Sequence, residues 1–275
     1  MNRRYLAVAA NGFWTLSVAV CVFAGGAHAD SAVLVPDQAL CQLFPDSTCF
    51  SPLNGTNFAD DAFTALATAE VDTLEILEGA FQLIDANIML GMNGVDSVLG
   101  LGAPEKTILR AALNDFPVVE IMGADVLIEA VTLRGGTNGI HVLSSATAAK
   151  INRVRIIEAS EDGILVSGIA RIANVSVSGS GGDGIQTENA TEIVLSTILK
   201  NGANGINVVN PVGSLTSIFG CNITDNGAAG SFGIVGPLAN IDENGNNVWN
   251  NGDPGDTADE YGGGVANRGR FLREI

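Results

Sequence analysis

The chain has 275 residues, of which 30 are Asp or Glu and 13 are Lys or Arg, giving a net charge of −17 at neutral pH. A surface this acidic repels nucleic acid and anionic membranes and attracts cations. These properties argue against a nucleic-acid-binding protein.

The N-terminal residues 1–29 have the pattern of an export signal, in which Arg3 and Arg4 supply the positive charge. An apolar stretch runs from Phe13 to Ala24, and Ala27-His28-Ala29 forms a small-x-small cleavage site. Cleavage would leave a mature chain with net charge 11 − 30 = −19 and a single histidine, His141, which excludes mechanisms that need two histidines. We therefore predict a secreted, periplasmic or cell-surface protein. A membrane anchor is the alternative, and the shortness of the apolar run argues against it.

Two local features are predicted between residues 30 and 70. Cys41 and Cys49 lie close together in an N-terminal segment, residues 30–56, and an oxidising compartment would favour a disulfide between them over two free thiols. The stretch DDAFTALATAE, residues 60–70, has the only convincing helical pattern.

From residue 128 onward the chain repeats a short apolar pattern: Ile, usually Val three residues later, and an aliphatic residue two beyond. Its starts are separated by 23, 21, 21 and 25 residues and lie at Ile128, Ile151, Ile172, Ile193 and Ile218. Such a period indicates a solenoid, and the alternation within each unit indicates strands. We predict an all-β parallel solenoid with three short strands per coil of about 21–25 residues.

Each coil is assigned three strands in order. Strand one starts at the Gly-Ile pair, strand two ends at the Ile that opens the repeat, and a two-residue bend leads to strand three. The solenoid domain is predicted to span residues 57–252, followed by a flexible tail at 253–275. Trp249 is expected to cover the end of the core, and Cys221 to be a buried apolar residue.

The run VLIEAVTLRGGTNGIHV and its successors resemble the right-handed parallel β-helix repeats of the pectate-lyase-like superfamily. SVLGLGAPEKTIL resembles an early coil of exported members, and residues 60–70 resemble the short helix that caps the first coil. The resemblance covers Val71 to Trp249. It implies a right-handed coil and a polysaccharide partner, because pectate lyases and polygalacturonases bind substrate along the sheet of strand one.

Strand one has one outward position per coil, and these positions form a column: Glu120, His141, Leu165, Gln186 and Asn207. The resemblance implies substrate binding by its polar members. The catalytic sets of the family do not map onto the column. Uronate lyases use a cation with an Arg or Lys base, and the column contains no Arg or Lys; hydrolases use clustered aspartates. An ordinary solvated sheet face is the alternative.

Asp162 and Asp183 precede Gly-Ile in adjacent coils, with Asn138 and Asn204 at the equivalent places on either side. A turn role is favoured, because Asn and Asp tolerate positive φ or bond the backbone. Stacked carboxylates repel each other, and a raised pKa or a bound cation would relieve the repulsion. One hypothesis is therefore a calcium ion on Asp162 and Asp183, with Glu161 as a further ligand. Another is a catalytic role for His141, Asp162 and Asp183.

A second outward column, on strand two, is Lys150, Arg171, Glu192 and Ser217. With Arg153 and Arg155 it forms a small basic patch. A solvated surface with one ion pair is favoured, and a site for an acidic glycan is the alternative.

Together these features predict an exported, monomeric β-helix protein that binds carbohydrate or serves as a surface scaffold. The alternative is a polysaccharide-processing enzyme, a uronate lyase ahead of a glycoside hydrolase. Fold resemblance is the main support for the enzyme, and fold does not imply function.

Overall fold

The computed structural model describes residues 18–20, 31–45, 48–52, 73–83, 88–91, 97–211, 213–228, 230–252 and 261–262. In these ranges the chain is a parallel β-solenoid, and its helices are three short 3-10 segments at Gln38–Leu43, Pro104–Lys106 and Leu238–Asn240. The all-β solenoid prediction is confirmed. The predicted capping helix lies outside the described residues, as do most of the predicted signal and tail.

Each coil contributes one strand to each of three sheets, which we number by strand order within the coil. Sheet 1 contains Ile88–Leu90, Val119–Ile121, Ile140–Val142, Ile164–Val166, Ile185–Thr187, Ile206–Val208, Ile234–Val235 and Tyr261–Gly262. Sheet 3 contains Gly79–Leu83, Thr107–Ala111, Thr132–Arg134, Arg155–Ile157, Ser176–Ser178, Thr197–Leu199, Asn222–Thr224 and Asn247–Trp249. All strand pairs in these two sheets are parallel within the described residues.

Sheet 2 extends beyond the solenoid at its N-terminal end. Its strands are Val18–Val20, Ser31–Leu34, Thr48–Pro52, Thr73–Ile76, Ser97–Gly100, Leu127–Glu129, Ala149–Asn152, Ala170–Ala173, Thr191–Val194, Thr216–Phe219 and Ile241–Asn244. One pair in the sheet, Val18–Val20 with Thr48–Pro52, is antiparallel. No helix in the described residues is long and apolar enough to cross a membrane.

Stacked aliphatic ladders form the core. Ile151, Ile172 and Ile193 are in register in successive coils of sheet 2, and each is fully buried. Sheets 1 and 3 have matching ladders that contain Ile185 and Ile198. Burying a side chain of this size contributes about 1.5–3 kcal/mol, so each coil is stabilised mainly by its neighbours.

Glycines before strand one allow successive coils to pass close together. A Cβ on Gly184 would lie 2.3 Å from Ile198 Cγ2 and 2.7 Å from the carbonyl oxygen of Gly205. The two-residue bends between sheets 2 and 3 instead use left-handed backbone, with φ of 54° at Arg153 and at Asn174 and 50° at Leu195. These bends fix where the chain leaves one sheet and enters the next.

A buried amide ladder holds the last coils in register. Asn226 Oδ1 accepts from the backbone N–H of Asn201 at 3.1 Å and from its Nδ2 at 2.8 Å. Asn251 repeats both contacts with Asn226 at the same distances. Because an unpaired buried amide is costly, these bonds disfavour any shift of one coil against the next.

Three predictions about single residues are settled by the structure. Cys41 and Cys49 form a disulfide, and Cys221 is a buried free thiol, as expected. The prediction for Trp249 is wrong, because its side chain is 48% exposed. Val248 occupies the position in register with the core residue Ile223 and packs against the core instead.

Candidate functional site

The outward column predicted for strand one exists in sheet 1. Its members are paired residue by residue in adjacent strands: Glu120 with His141, His141 with Leu165, Leu165 with Gln186, and Gln186 with Asn207. Their inward neighbours, such as Ile185 and Thr187, are fully buried, whereas the column side chains are partly exposed. Strand alternation therefore places these side chains on one face, about 4.8 Å apart along the axis.

Gln186 and Asn207, the last two members of the column, contact carboxylates that lie beside it. Asn207 Nδ2 donates to Asp183 Oδ2 at 2.7 Å and makes a longer contact of 3.4 Å with Gln186 Oε1. Gln186 Nε2 in turn lies 3.4 Å from Glu188 Oε1, and Ser167 Oγ donates to Glu188 Oε2 at 2.7 Å. The structure therefore brings two predicted sugar-binding residues together with a predicted metal ligand, in one hydrogen-bonded network.

The Asp and Asn side chains before Gly-Ile form a second ladder, which supports the turn interpretation. Asp162 Oδ1 accepts from the backbone N–H of Asp183 at 2.8 Å, and Asp183 Oδ1 accepts from that of Asn204 at 2.8 Å. Asn204 Oδ1 continues the series to the N–H of Phe232 at 2.8 Å. These residues do not have positive φ, so their role here is to bond the next coil through the side chain.

Asp183 is the most constrained carboxylate of this ladder. Its side chain is 6% exposed, and besides the Asn204 N–H it accepts from Asn204 Nδ2 at 2.8 Å. With the Asn207 bond it has at least three donors on two oxygens. Hydrogen bonds of this kind, accepted by a charged group, are stronger than those between neutral groups, so they hold the side chain in one orientation.

The carboxyl of Asp162 has a raised pKa, chiefly because it is partly buried. Burial raises the pKa of its carboxyl above 3.8, the N–H of Asp183 opposes that shift, and the charges of Asp183, Glu161 and Glu188 add to it. A raised pKa is one of the two responses expected from the sequence. The other, a bound calcium ion, stays a prediction; the described residues contain no group of three or more His, Cys, Asp or Glu placed to hold a metal ion.

His141, the second member of the column, is influenced by the carboxylates of Glu120 and Glu188. Burial lowers the pKa of its imidazole below 6.5, and the charges of Glu120 and Glu188 partly oppose that shift. The imidazole is therefore neutral near pH 7, where one ring nitrogen can accept a hydrogen bond or a proton and the other can donate.

Glu188 is the site residue that sequence reasoning missed. It acts electrostatically on both His141 and Asp162 and accepts hydrogen bonds from Ser167 and Gln186. Its position two residues after Gln186 gives it the same outward parity, which was the available signal. Glu188 directly follows the strand Ile185–Thr187, so the strand pattern alone did not include it.

The predicted strand-two column is also in register. Lys150 pairs with Arg171, Arg171 with Glu192, and Glu192 with Ser217 in adjacent strands of sheet 2. The expected ion pair is present, with Arg171 Nε 2.7 Å from Glu192 Oε2. This column lies on a different sheet from the network around Asp183.

One comparison with known proteins, a match to a sequence family, agrees with the fold. A sequence model described as right handed beta helix region matches residues 118–270. The chain is similar to the A-module of Azotobacter vinelandii mannuronan C-5 epimerase AlgE4, with 14% identity over 70% of this chain and 72% of that chain and a TM-score of 0.46. The AlgE6 A-module of the same organism gives 14% identity, 70% and 71% coverage and a TM-score of 0.40. No curated protein sequence matches the chain.

Proposed function

This chain belongs to the right-handed β-helix family, and on that premise we propose that it is an exported protein that binds a neutral polysaccharide along the outward face of sheet 1. The observation that carries the proposal is the row formed by Gln186, Asn207, Asp183 and Glu188. It presents the amides of Gln186 and Asn207 in adjacent coils and the exposed carboxylate of Glu188, while the buried Asp183 holds Asn207 in place. A linear glycan lying along the axis would meet an amide group in each of these two coils.

The network lowers the cost of binding because its side chains are already ordered. Asn207 is held by Asp183, and Glu188 by Ser167, so a ligand would not have to fix these rotamers itself. Ordering a flexible side chain on binding costs about 0.5–1.5 kcal/mol. Sugar hydroxyls can both donate to the carboxylates and accept from the amides.

The charge of this face favours a neutral ligand over a uronate. The column and its hydrogen-bond partners include the carboxylates Glu120, Glu188 and Asp183. The column itself contains no Lys or Arg, and the lowered pKa of His141 keeps that side chain uncharged near pH 7. A polymer with one carboxylate per sugar would be repelled here.

Calorimetric titration with cellohexaose, mannohexaose and xylohexaose tests the proposal. We expect one of the three to bind and the variant Gln186→Ala to bind it roughly two- to tenfold more weakly, which corresponds to one lost hydrogen bond. Thr197→Ala, an outward change on sheet 3, is the matched control and should bind like the parent. Equal loss in both variants, or no binding of any neutral hexamer, would contradict the proposal.

A second candidate is a polysaccharide lyase or glycosidase, favoured by one observation: a neutral imidazole at His141 next to Glu120 could act as a general base. The test is the absorbance of unsaturated products, and of reducing ends, on neutral and uronate polymers with and without calcium. Turnover abolished by His141→Ala and by Asp183→Asn would establish the enzyme. Thermal melting with calcium and with a chelator tests the proposed site on Asp162 and Asp183, and unchanged melting would exclude it.

A further inference from the structure

Asn-Gly pairs recur along this chain, and such a pair can react with itself. The backbone nitrogen of the glycine attacks the side-chain amide carbon of the asparagine before it. Glycine permits the reaction because it has no Cβ to hinder the approach and its backbone turns freely. The described part of the chain contains six such pairs, at Asn138, Asn201, Asn204, Asn226, Asn244 and Asn251. The surroundings of each pair decide whether it can react.

Hydrogen bonds between coils hold the glycine nitrogen in five of the six pairs. Each of these N–H groups donates to a backbone carbonyl of a neighbouring coil, at 2.7 to 3.0 Å; the donors are Gly139, Gly202, Gly205, Gly227 and Gly252. Four of the asparagines are buried as well: Asn138, Asn201, Asn226 and Asn251. A nitrogen held in this way cannot turn towards the side chain before it unless the coil opens first.

The sixth pair, Asn244-Gly245, lies at the end of a hydrogen-bond ladder. Gly245 is the left-handed residue, with φ of 65°, at the bend between sheets 2 and 3. In the five preceding coils the residue at this bend donates its N–H to the next coil: Ala130 to Asn152, Arg153 to Ala173, Asn174 to Val194, Leu195 to Phe219, and Gly220 to Asn244. Sheet 2 has no later strand within the described residues, and the N–H of Gly245 donates to none of them.

The pair is also open to solvent. Both Asn244 and Gly245 are exposed, and a Cβ placed on Gly245 would meet no atom of the described residues within 4 Å. The side-chain amide of Asn244 makes no hydrogen bond to another described residue, unlike the buried amides of Asn226 and Asn251. The side chain is therefore free to rotate towards the nitrogen of Gly245, and water and hydroxide reach both groups.

We propose that Asn244 is a site of spontaneous modification, where the chain converts its own asparagine to aspartate and isoaspartate. The N–H of Gly245 gives its proton to hydroxide, and the nitrogen forms a bond to Cγ of Asn244. The bond from Cγ to the amide nitrogen breaks, and ammonia leaves. Water then opens the cyclic imide at either carbonyl, which gives the two acids. The reaction needs only water and base.

The product changes the last coil in two ways. A carboxylate at position 244 would follow Asp242 and Glu243, and the charge of the whole chain would become −17 − 1 = −18. In isoaspartate the chain continues through the side chain, so the main chain is longer by one carbon. The carbonyl of Asn244, which accepts from the N–H of Gly220 at 3.2 Å, then becomes part of a free carboxylate. The last coil should loosen as the protein ages, whatever the protein binds on sheet 1.

Incubation of the full chain at mildly alkaline pH, followed by peptide mapping with mass spectrometry, tests the proposal. We expect the peptide with Asn244 to gain the mass of one deamidation, faster at higher pH, while the peptides with Asn226 and Asn251 stay unchanged. Asn244→Gln should abolish the change. A chain unfolded in urea is the reference, and there all Asn-Gly pairs should react at similar rates because no coil protects them.

Phe219→Asn is the matched control. It creates the same pair at the same bend one coil earlier, where the N–H of Gly220 is bonded to Asn244. We expect it to react roughly fivefold more slowly than Asn244, the factor for one hydrogen bond that must open before the nitrogen can attack. Circular dichroism reports whether this variant keeps its fold, and the comparison among the six native pairs needs no variant.

Three outcomes would overturn the proposal. The first is that Asn244 stays intact in the folded chain while it reacts in urea. The second is that the six pairs react equally fast in the folded chain. The third is that a folded Phe219→Asn variant reacts at position 219 as fast as at Asn244, which would show that the free N–H of Gly245 does not set the rate.

Discussion

The outward face of sheet 1 and the strand-two column on sheet 2 are built by the same coils but are held in different ways. On sheet 1, Asp183 is 6% exposed and fixes both Asn204 and Asn207 of the next coil. In the strand-two column, Arg171 and Glu192 are in register in adjacent coils too, yet their side chains are 60% and 45% exposed and bond only at their tips.

The difference shows that a repeat fixes where a side chain lies but not how firmly it is held. Firmness comes from a buried partner in the next coil, because buried hydrogen bonds to a charged group are stronger than exposed ion pairs. The face of sheet 1 is therefore part of the structural frame, whereas the strand-two column can be altered with little effect on the fold.

Removing one carboxylate from each region gives the most direct test of how firmly the side chains are held. Asp183→Ala deletes at least three accepted hydrogen bonds and leaves the partly buried N–H of Asn204 without its partner. We expect the free energy of unfolding to fall by about 3 kcal/mol. Glu192→Ala removes one exposed ion pair and should cost about 0.5 kcal/mol or less.

Urea denaturation of the two variants beside the parent gives both values. Similar losses in the two variants would show that the face of sheet 1 is no more constrained than the strand-two column.

A smaller effect on stability is expected when the negative charge of Asp162 is removed. The pKa of Asp162 is raised above 3.8 in the folded chain, so the folded state binds a proton more tightly than the unfolded state. Stability should therefore fall as pH rises from 3.8 through the folded pKa, and it should stay at the lower value above that pKa. Asp162→Asn keeps the Oδ1 acceptor for the N–H of Asp183 and places here the residue found at Asn138 and Asn204.

We expect Asp162→Asn to be at least as stable as the parent at pH 7 and to lose that advantage towards pH 3.8. Thermal melts across this pH range measure the difference, and Glu192→Gln in the strand-two column serves as the control. A variant that is less stable than the parent at pH 7 would show that the carboxylate is needed, which would favour a bound cation.

The smallest predicted effect concerns His141. Burial lowers the pKa of His141, so the folded state disfavours the charged imidazole. The neutral imidazole makes its full contribution to stability above pH 6.5, and this contribution is lost as pH falls through the folded pKa. Glu188→Gln removes one of the charges that oppose this shift, so the pKa should fall further. NMR titration of the imidazole protons checks both statements. An imidazole that titrates above 6.5, or one unaffected by Glu188→Gln, would contradict this electrostatic account.

The parity of each outward column could be predicted from the sequence, because strand alternation leaves no freedom once the Ile and Val ladders are aligned. Glu120 to Asn207 and Lys150 to Ser217 accordingly lie where the repeat places them. The same reasoning, applied to Trp249, would have shown that Val248 takes the inward position of Ile223. Trp249 therefore lies on the outward side of its strand.

The contacts between columns could not be predicted in the same way. That Asn207 bonds Asp183, a residue 24 positions earlier, depends on rotamers and on how far one coil is offset from the next. The sequence predicted a turn role for the Asp-Gly pairs but not its mechanism. A positive φ and a side-chain-to-backbone hydrogen bond are both compatible with Asp before Gly, and the structure shows the hydrogen bond. Glu188 was not predicted because it follows the last residue of the strand Ile185–Thr187.

The exact spacing of 21 residues between Ile151, Ile172 and Ile193 has a consequence for how such a chain can change length. Excising Ile172 through Glu192 would bring Ile193, Ser196 and Ile198 into the places of Ile172, Val175 and Val177, so one small polar residue would replace a core valine. Duplicating the same segment would lengthen the molecule by one coil. The length of both outer surfaces thus changes by whole coils, whereas an insertion or deletion of one residue within a strand would turn core side chains towards water.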